Sequence, residues 1–133
     1  MKIVSHRHCR SALGYHFVFV TKWRRRIFFG KVEVALKRIL SEVSLANGYG
    51  LEVSGVDGDH VHVFISAPPA VSPAEIARRI NGASARRMRL IFPWLNRRLP
   101  GGSLWSPSYF VSSVGEIAEG AVRRYIANQG EAA

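Results

Sequence analysis

Two histidines placed two positions apart, His60 and His62, are the residues of this sequence that most directly suggest chemistry. They lie within residues 59–66, where Val and Ile alternate with other side chains in the period of a β-strand. Successive strand side chains point to opposite faces, so both imidazoles share one face and are close enough to bind one metal ion. The alternative, two partly exposed histidines on an open sheet face, fits this segment equally well.

The composition of the 133 residues indicates a single globular domain with a polyanionic partner. Hydrophobic residues make up 47% of the chain, which is enough for a core, and Cys9 is the only cysteine. One thiol excludes an intramolecular disulfide and suits a cytoplasmic protein; no membrane-spanning run or secretory pattern is present. The formal net charge is +10, and fifteen of the nineteen basic residues are Arg. Nucleic acid is therefore favoured over a membrane surface as the partner.

The order of predicted elements indicates a fold. Strands are predicted at 15–20, 51–56, 59–66 and 104–111, with Pro107 confining the last to an edge or a bulge. Amphipathic helices are predicted from 31 to about 47, from 73 to about 91 and at roughly 116–129. This is an α+β fold: a ferredoxin-like βαββαβ antiparallel sheet with two helices on one face and an additional C-terminal helix. Residues 1–13 are predicted to form a basic arm, whose His6 and His8 lie outside any strand pattern, and residues 14–130 a single domain.

The alternation within residues 59–66 predicts which face carries the histidines. Val61, Val63 and Ile65 should face the two helices, leaving His60, His62 and Phe64 on the open face. Docking of the C-terminal helix on that face, from the same chain or a partner, would bring Tyr125 and Gln129 to the histidines. Two imidazoles and an amide oxygen suit Mg²⁺ or Mn²⁺, and a nearby tyrosine hydroxyl could attack a metal-bound phosphate. The alternative for Tyr125 is ordinary packing on an apolar helix face.

Basic residues cluster at two further places. The second long helix carries Arg78, Arg79, Arg86 and Arg89 opposite its apolar side, and Lys22 and Arg24 follow the first strand. Each of these six side chains is a candidate phosphate contact, and Trp105 or Trp23 is a candidate for stacking on an unpaired base. The alternative for either tryptophan is a place in the core. Arg87 falls within the apolar side of its helix and requires a partner.

Several motifs together resemble a known family. His60-Val61-His62 resembles the His-hydrophobe-His motif of HUH endonucleases, and residues 125–129 resemble their single-tyrosine helix with its trailing glutamine. Residues 15–22, 59–69, 82–87 and 104–109 also resemble small single-tyrosine transposases of prokaryotic insertion sequences, the TnpA type. The resemblance covers about residues 14 to 129. One departure is Gly58, where such proteins often have proline.

The resemblance implies an enzyme that cuts and rejoins single-stranded DNA at element ends marked by hairpins. Tyr125 would be the nucleophile that forms a 5′-phosphotyrosine, and His60, His62 and Gln129 would hold Mg²⁺ or Mn²⁺, without a nucleotide cofactor. Such enzymes act as homodimers. Two rival functions remain open: a non-catalytic single-stranded nucleic-acid-binding module, and a metal-dependent hydrolase that uses water instead of the tyrosine.

Overall fold

The architecture is taken from a computed structural model in which residues 13–101 and 103–116 are described. The strands are β1 (Leu13–Thr21), β2 (Gly50–Asp57), β3 (His60–Ala67) and β4 (Trp105–Glu116). The helices are α1 (Gly30–Ala46), α2 (Pro73–Ile91) and the short α3 (Leu95–Arg98), and a 3₁₀ turn, Lys22–Arg24, follows β1. The predicted C-terminal helix and the N-terminal arm, apart from Leu13, lie outside the described residues, except for Glu116, which ends β4.

The four strands form one antiparallel sheet in the order β2-β3-β1-β4, as the ferredoxin-like arrangement predicts. Both long helices pack against one face of this sheet through a shared core, in which Phe17, Phe19, Leu36, Ile39 and Ile80 are fully buried. Val61, Val63 and Ile65 of β3 also have no exposed surface and belong to that core. The predicted fold and the predicted orientation of β3 are both confirmed.

Some sequence-based expectations are corrected by the structure. Phe64, which was assigned to the open face, is fully buried, so that face is not open along its whole length. β4 continues to Glu116, where the sequence predicted the start of a helix, because the strand pairs with β1 as far as Leu13. Between α2 and β4, where the sequence predicted neither a helix nor a strand, the structure contains α3. No helix among the described residues is both long and apolar enough to cross a membrane.

The predicted ends of the two long helices agree with the structure to within one residue. The Ser72 hydroxyl accepts a hydrogen bond from the backbone N–H of Glu75 at 3.1 Å, and Pro73 is the first residue of α2. Arg87, for which the sequence offered no partner, donates to the Glu42 carboxylate on α1. This ion pair ties the two long helices together outside their apolar contact.

Trp105 is a core residue, which corrects its assignment as a DNA contact. Its ring is 4% exposed, contacts the rings of Phe19 and Phe28, and donates Nε1–H to the Ser84 hydroxyl at 3.0 Å. A base could not stack on the face of a ring held in this way. Trp23, the other tryptophan considered for stacking, is 57% exposed, so its ring is accessible to a base.

Candidate active site

His60 and His62 lie on the sheet face opposite the two long helices, at the end of β3 next to the β2–β3 turn. Their ring centroids are 5.2 Å apart, and both side chains are partly exposed. They line a cleft of about 300 Å³ together with residues 55–57 of β2. The pairing of β2 with β3 shifts register between Val53 and Gly55, opposite His62. Such irregularities in strand pairing are common next to active sites.

Each imidazole is held through its Nδ1 by a residue that the sequence analysis did not identify. The Asp59 Oδ1 atom lies 2.7 Å from Nδ1 of His60, and the His16 Nε2 atom lies 3.2 Å from Nδ1 of His62. Neither Nε2 of these two histidines has a hydrogen-bond partner among the described residues. The contact of Asp59 with His60 could have been expected because the two residues are adjacent in the sequence. The contact of His16 with His62 depends on the register of β1 against β3.

The charge states of these groups follow from burial and neighbouring charge. Burial lowers the pKa of His62, with the nearby His60 as the second cause, and burial followed by the proximity of His62 lowers the pKa of His16. The hydrogen bond from His60, followed by the hydrogen bond and the positive charge of Arg24, lowers the pKa of the Asp59 carboxyl despite its burial. At neutral pH the site therefore combines a neutral His62 with an ionised Asp59.

These features fit a divalent metal ion held by His60 and His62. A histidine binds a metal ion through a neutral imidazole, and the lowered pKa of His62 favours that form. The other nitrogen of a metal-binding imidazole usually makes a hydrogen bond that orients the ring, as Nδ1 of His60 and of His62 can do here. No group of three or more His, Cys, Asp or Glu side chains that could hold a metal occurs within residues 13–101 and 103–116. The two imidazoles thus require a further ligand. Tyr125 and Gln129, the other sequence-predicted site residues, lie outside the described residues.

The segment that follows β1 is anchored to the turn before His60. The backbone N–H of Thr21 donates to the Asp59 carbonyl at 2.8 Å, and those of Ile27 and Phe28 donate to the Gly58 carbonyl. A Cβ at Gly58 would lie 2.6 Å from the tip of the Phe29 ring, so a larger residue at this position would displace the exposed Phe29 side chain. The basic segment is therefore held directly beside the two histidines.

Within this segment, Lys22 and Arg24 occupy different environments. Trp23 and Arg24 both have left-handed backbone conformations, with φ of 55° and 52°, which cost non-glycine residues energy. Arg24 donates Nε–H to the Asp59 Oδ2 atom at 3.1 Å while its side chain stays 77% exposed, so its remaining donors face solvent. The Lys22 ammonium lies 5.0 Å from the centre of the Trp23 ring.

The four arginines predicted on the polar side of α2 differ in their surroundings. Arg78 and Arg89 line a groove of about 430 Å³ between α2 and β4, with Ser103, Ser106 and Tyr109. Among the described residues, the buried Nη1 of Arg89 and Oδ1 of Asn81, also in the groove, have no hydrogen-bond partner. Arg79 pairs with Glu75 at 2.9 Å and donates to Asn47, whereas the Arg78 Nη2 atom lies 3.7 Å from the same Glu75 oxygen. Arg86 is exposed. The groove therefore offers polar groups to a ligand, whereas Arg79 is already engaged.

Comparisons with known proteins agree on one family. The model of the IS200-like transposase family matches residues 9–129. The ISDra2 transposase TnpA of Deinococcus radiodurans is 37% identical over 117 residues, covering 88% of this chain and 84% of that protein. The transposase for insertion sequence element IS200 of Salmonella typhimurium is 27% identical over 109 residues, covering 82% of this chain and 72% of that protein.

A solved structure gives the same result. A crystal structure at 1.90 Å of a Deinococcus radiodurans R1 protein, described as a transposase, superposes with a TM-score of 0.73. The two proteins are 34% identical, and the match covers 97% of this chain and 98% of that chain. The chain belongs to the IS200-like transposase family and has that family's α+β fold.

Proposed function

We propose that this transposase cuts and rejoins single-stranded DNA at the ends of an insertion sequence, with Tyr125 as the nucleophile. His60, His62 and Gln129 are proposed to hold the Mg²⁺ or Mn²⁺ ion that assists the reaction. The observation that carries the proposal is the pair of imidazoles on one sheet face, each with its Nδ1 engaged by its own partner. A domain that only bound DNA would gain nothing from orienting two imidazoles in this way.

The proposed reaction is a phosphoryl transfer. The Tyr125 oxygen forms a bond to the scissile phosphorus as the bond from phosphorus to the 3′ oxygen breaks. The phenolic proton is lost to solvent and the departing 3′ oxygen gains one, leaving a 5′-phosphotyrosine and a free 3′-OH. When bound, the metal ion supplies Lewis-acid polarisation of the phosphate. Attack by a 3′-OH on the phosphotyrosine reverses the reaction and rejoins a strand without a nucleotide cofactor.

Two basic surfaces are proposed to bind the DNA. Lys22, Trp23 and Arg24 lie beside the candidate active site, where they suit the phosphates and an unpaired base near the cleavage point. The groove containing Arg78 and Arg89 is proposed to bind a hairpin near the element end, where unpartnered polar atoms gain partners. Arg86 is exposed and does not line this groove, so it is proposed to contact a phosphate beside the groove, whereas Arg79 would have to leave Glu75 to do so.

A homodimer is part of the proposal. β4 is an edge strand of twelve residues, and its Phe110 side chain is 60% exposed. Long edges with exposed apolar side chains are usually covered in soluble proteins, and a second copy of the chain is the occupant we propose. Size-exclusion chromatography with light scattering would show a dimer; a monomer at all concentrations would contradict this part of the proposal.

The experiment that tests the function is incubation of the protein with labelled single-stranded DNA from the ends of its own element. Reactions contain Mg²⁺, Mn²⁺ or EDTA and are separated on a denaturing gel. We expect a metal-dependent band in which protein and DNA run together, lost in Tyr125→Phe and His60→Ala. Tyr49→Phe is the matched control, because Tyr49 is buried beside β2 and its loss also removes one hydroxyl.

Other outcomes would identify the rival functions. Cleavage that persists in Tyr125→Phe without any covalent band would indicate a hydrolase that uses water. Binding of the DNA with neither cleavage nor a covalent band would indicate a non-catalytic binding module. Either outcome would contradict the proposed tyrosine mechanism.

A further inference from the structure

A third histidine, His16, is buried beside the proposed metal site. It lies on β1, where the register places it opposite Phe64 and diagonal to His62. It is 6% exposed, its ring is nearly parallel to that of His62 at an interplanar angle of 11°, and the ring centroids are 5.3 Å apart. Burying an imidazole is unfavourable unless its nitrogens make hydrogen bonds. The burial of His16 beside the proposed metal ligand His62 therefore suggests that the two rings interact.

The contact between His16 and His62 restricts the positions of their protons. Nε2 of His16 and Nδ1 of His62 are 3.2 Å apart, so one must carry a hydrogen and the other must accept it. If His62 carries the hydrogen on Nδ1, its Nε2 has a lone pair. If His16 donates instead, a neutral His62 must carry its hydrogen on Nε2 and that nitrogen cannot bind a metal.

We propose that His16 is a positioning residue that accepts a hydrogen bond from Nδ1–H of His62 and so fixes the tautomer whose Nε2 can bind the metal ion. This inference rests on the proposed function, which makes His62 a metal ligand. His60 has the corresponding partner in the Asp59 carboxylate. The two ligands are thus oriented by different groups, one from the adjacent residue and one from the neighbouring strand.

Two substitutions separate the acceptor from the bulk of the side chain. His16→Gln places an amide oxygen near the position of Nε2, whereas His16→Leu has similar volume and no acceptor. Circular dichroism and thermal unfolding confirm that each variant is folded. Mn²⁺ affinity is then measured by calorimetry. We expect His16→Leu to weaken binding by about 10- to 100-fold, as loss of such orienting partners typically does, and His16→Gln to bind nearly as the wild type.

The tautomer itself is measured by NMR of ¹⁵N-labelled, metal-free protein. We expect the ring of His62 to carry its proton on Nδ1 in the wild type and in His16→Gln, and to lose that preference in His16→Leu. A proton on Nε2 of His62 in the wild type would overturn the inference. So would unchanged Mn²⁺ affinity in His16→Leu, or an equal loss of affinity in both variants.

Electron spin echo measurements on bound Mn²⁺ test whether His16 itself binds the metal ion. Under our inference, His16→Leu leaves the number of histidine nitrogens on the metal unchanged; loss of one would make His16 a ligand and overturn it. These measurements do not involve DNA. If the tautomer and affinity results hold while Tyr125 forms no adduct, the positioning role stands and the tyrosine mechanism fails.

Discussion

Removing the Asp59 carboxylate should weaken metal binding at the candidate site while leaving the fold intact. Asp59 is 5% exposed, and its two oxygens have separate partners: Oδ1 lies 2.7 Å from Nδ1 of His60 and Oδ2 accepts from Arg24 at 3.1 Å. The pair with Arg24 contributes little, about 0–1 kcal/mol, because the Arg24 side chain is 77% exposed. The bond to His60 is short and charge-assisted, so it should account for most of the effect.

The expected loss of Mn²⁺ affinity follows from the unequal strength of the two Asp59 contacts. Asp59→Ala removes the partner of His60 and should weaken Mn²⁺ binding by about 10- to 100-fold, or roughly 1.4–2.7 kcal/mol. Asp59→Asn keeps an oxygen acceptor without the charge and should lose about fivefold, since a neutral hydrogen bond is roughly 1 kcal/mol weaker. Arg24→Ala, the matched control, removes only the exposed partner and should change affinity less than Asp59→Asn.

The assay is isothermal titration of metal-free protein with Mn²⁺ at about pH 7.5, where His62 is neutral. Circular dichroism and thermal unfolding establish that each variant is folded. If Asp59→Ala bound Mn²⁺ as the wild type does, or if Arg24→Ala lost as much affinity as Asp59→Ala, the orienting role assigned to the carboxylate would be refuted.

Three further predictions concern stability and DNA binding. Ser84→Ala leaves the buried Nε1–H of Trp105 without its acceptor and should lower the free energy of unfolding by about 1–3 kcal/mol, measured by urea denaturation. In EDTA, the melting temperature should fall as the pH drops below about 6.5, because the pKa values of His16 and His62 are lower in the folded protein and the unfolded chain then binds more protons. Arg78→Ala should weaken hairpin binding and reduce the slope of log affinity against log salt by about 0.7–0.9 if one phosphate contact is lost.

Matched controls and contradicting results can be stated for the three predictions. Ser106→Ala, on β4 and partly exposed, should leave stability nearly unchanged; equal losses in both serine variants would contradict the assigned hydrogen bond. A melting temperature independent of pH between about 5.5 and 7.5 would contradict the histidine assignments. Arg38→Ala on α1 should leave the salt slope unchanged, and an unchanged slope in Arg78→Ala would remove that residue from the DNA interface.

Much of the fold could be predicted because the apolar periodicity that marks each strand and helix lies within a short stretch of sequence. The alternation in residues 59–66 assigns Val61, Val63 and Ile65 to the core face, and the amphipathic pattern of residues 73–91 predicts α2. The spacing of His60 and His62 on a predicted strand indicated a metal pair, and the family motifs agreed with it. Glu116 was misassigned because the end of β4 is determined by its pairing with β1, which is not written in the local sequence.

The parts that were missed depend on contacts between distant segments. His16 meets His62 across 46 positions, and the partner of Arg87 is Glu42, on the other long helix. Trp105 was an equal candidate for the core or a base until the packing of β4 beside α2 placed it against Ser84. Strand register and helix packing decide these contacts, and neither can be read from residue types alone.

Locating the covalent bond between protein and DNA would show whether Tyr125 is the nucleophile. The protein is reacted with single-stranded DNA from its element end in Mn²⁺, treated with nuclease and protease, and the peptides are examined by mass spectrometry. We expect a nucleotide joined through a 5′ phosphate to the peptide that contains Tyr125, absent in EDTA and in His62→Ala. A nucleotide on another residue, or cleaved DNA with no modified peptide, would contradict it.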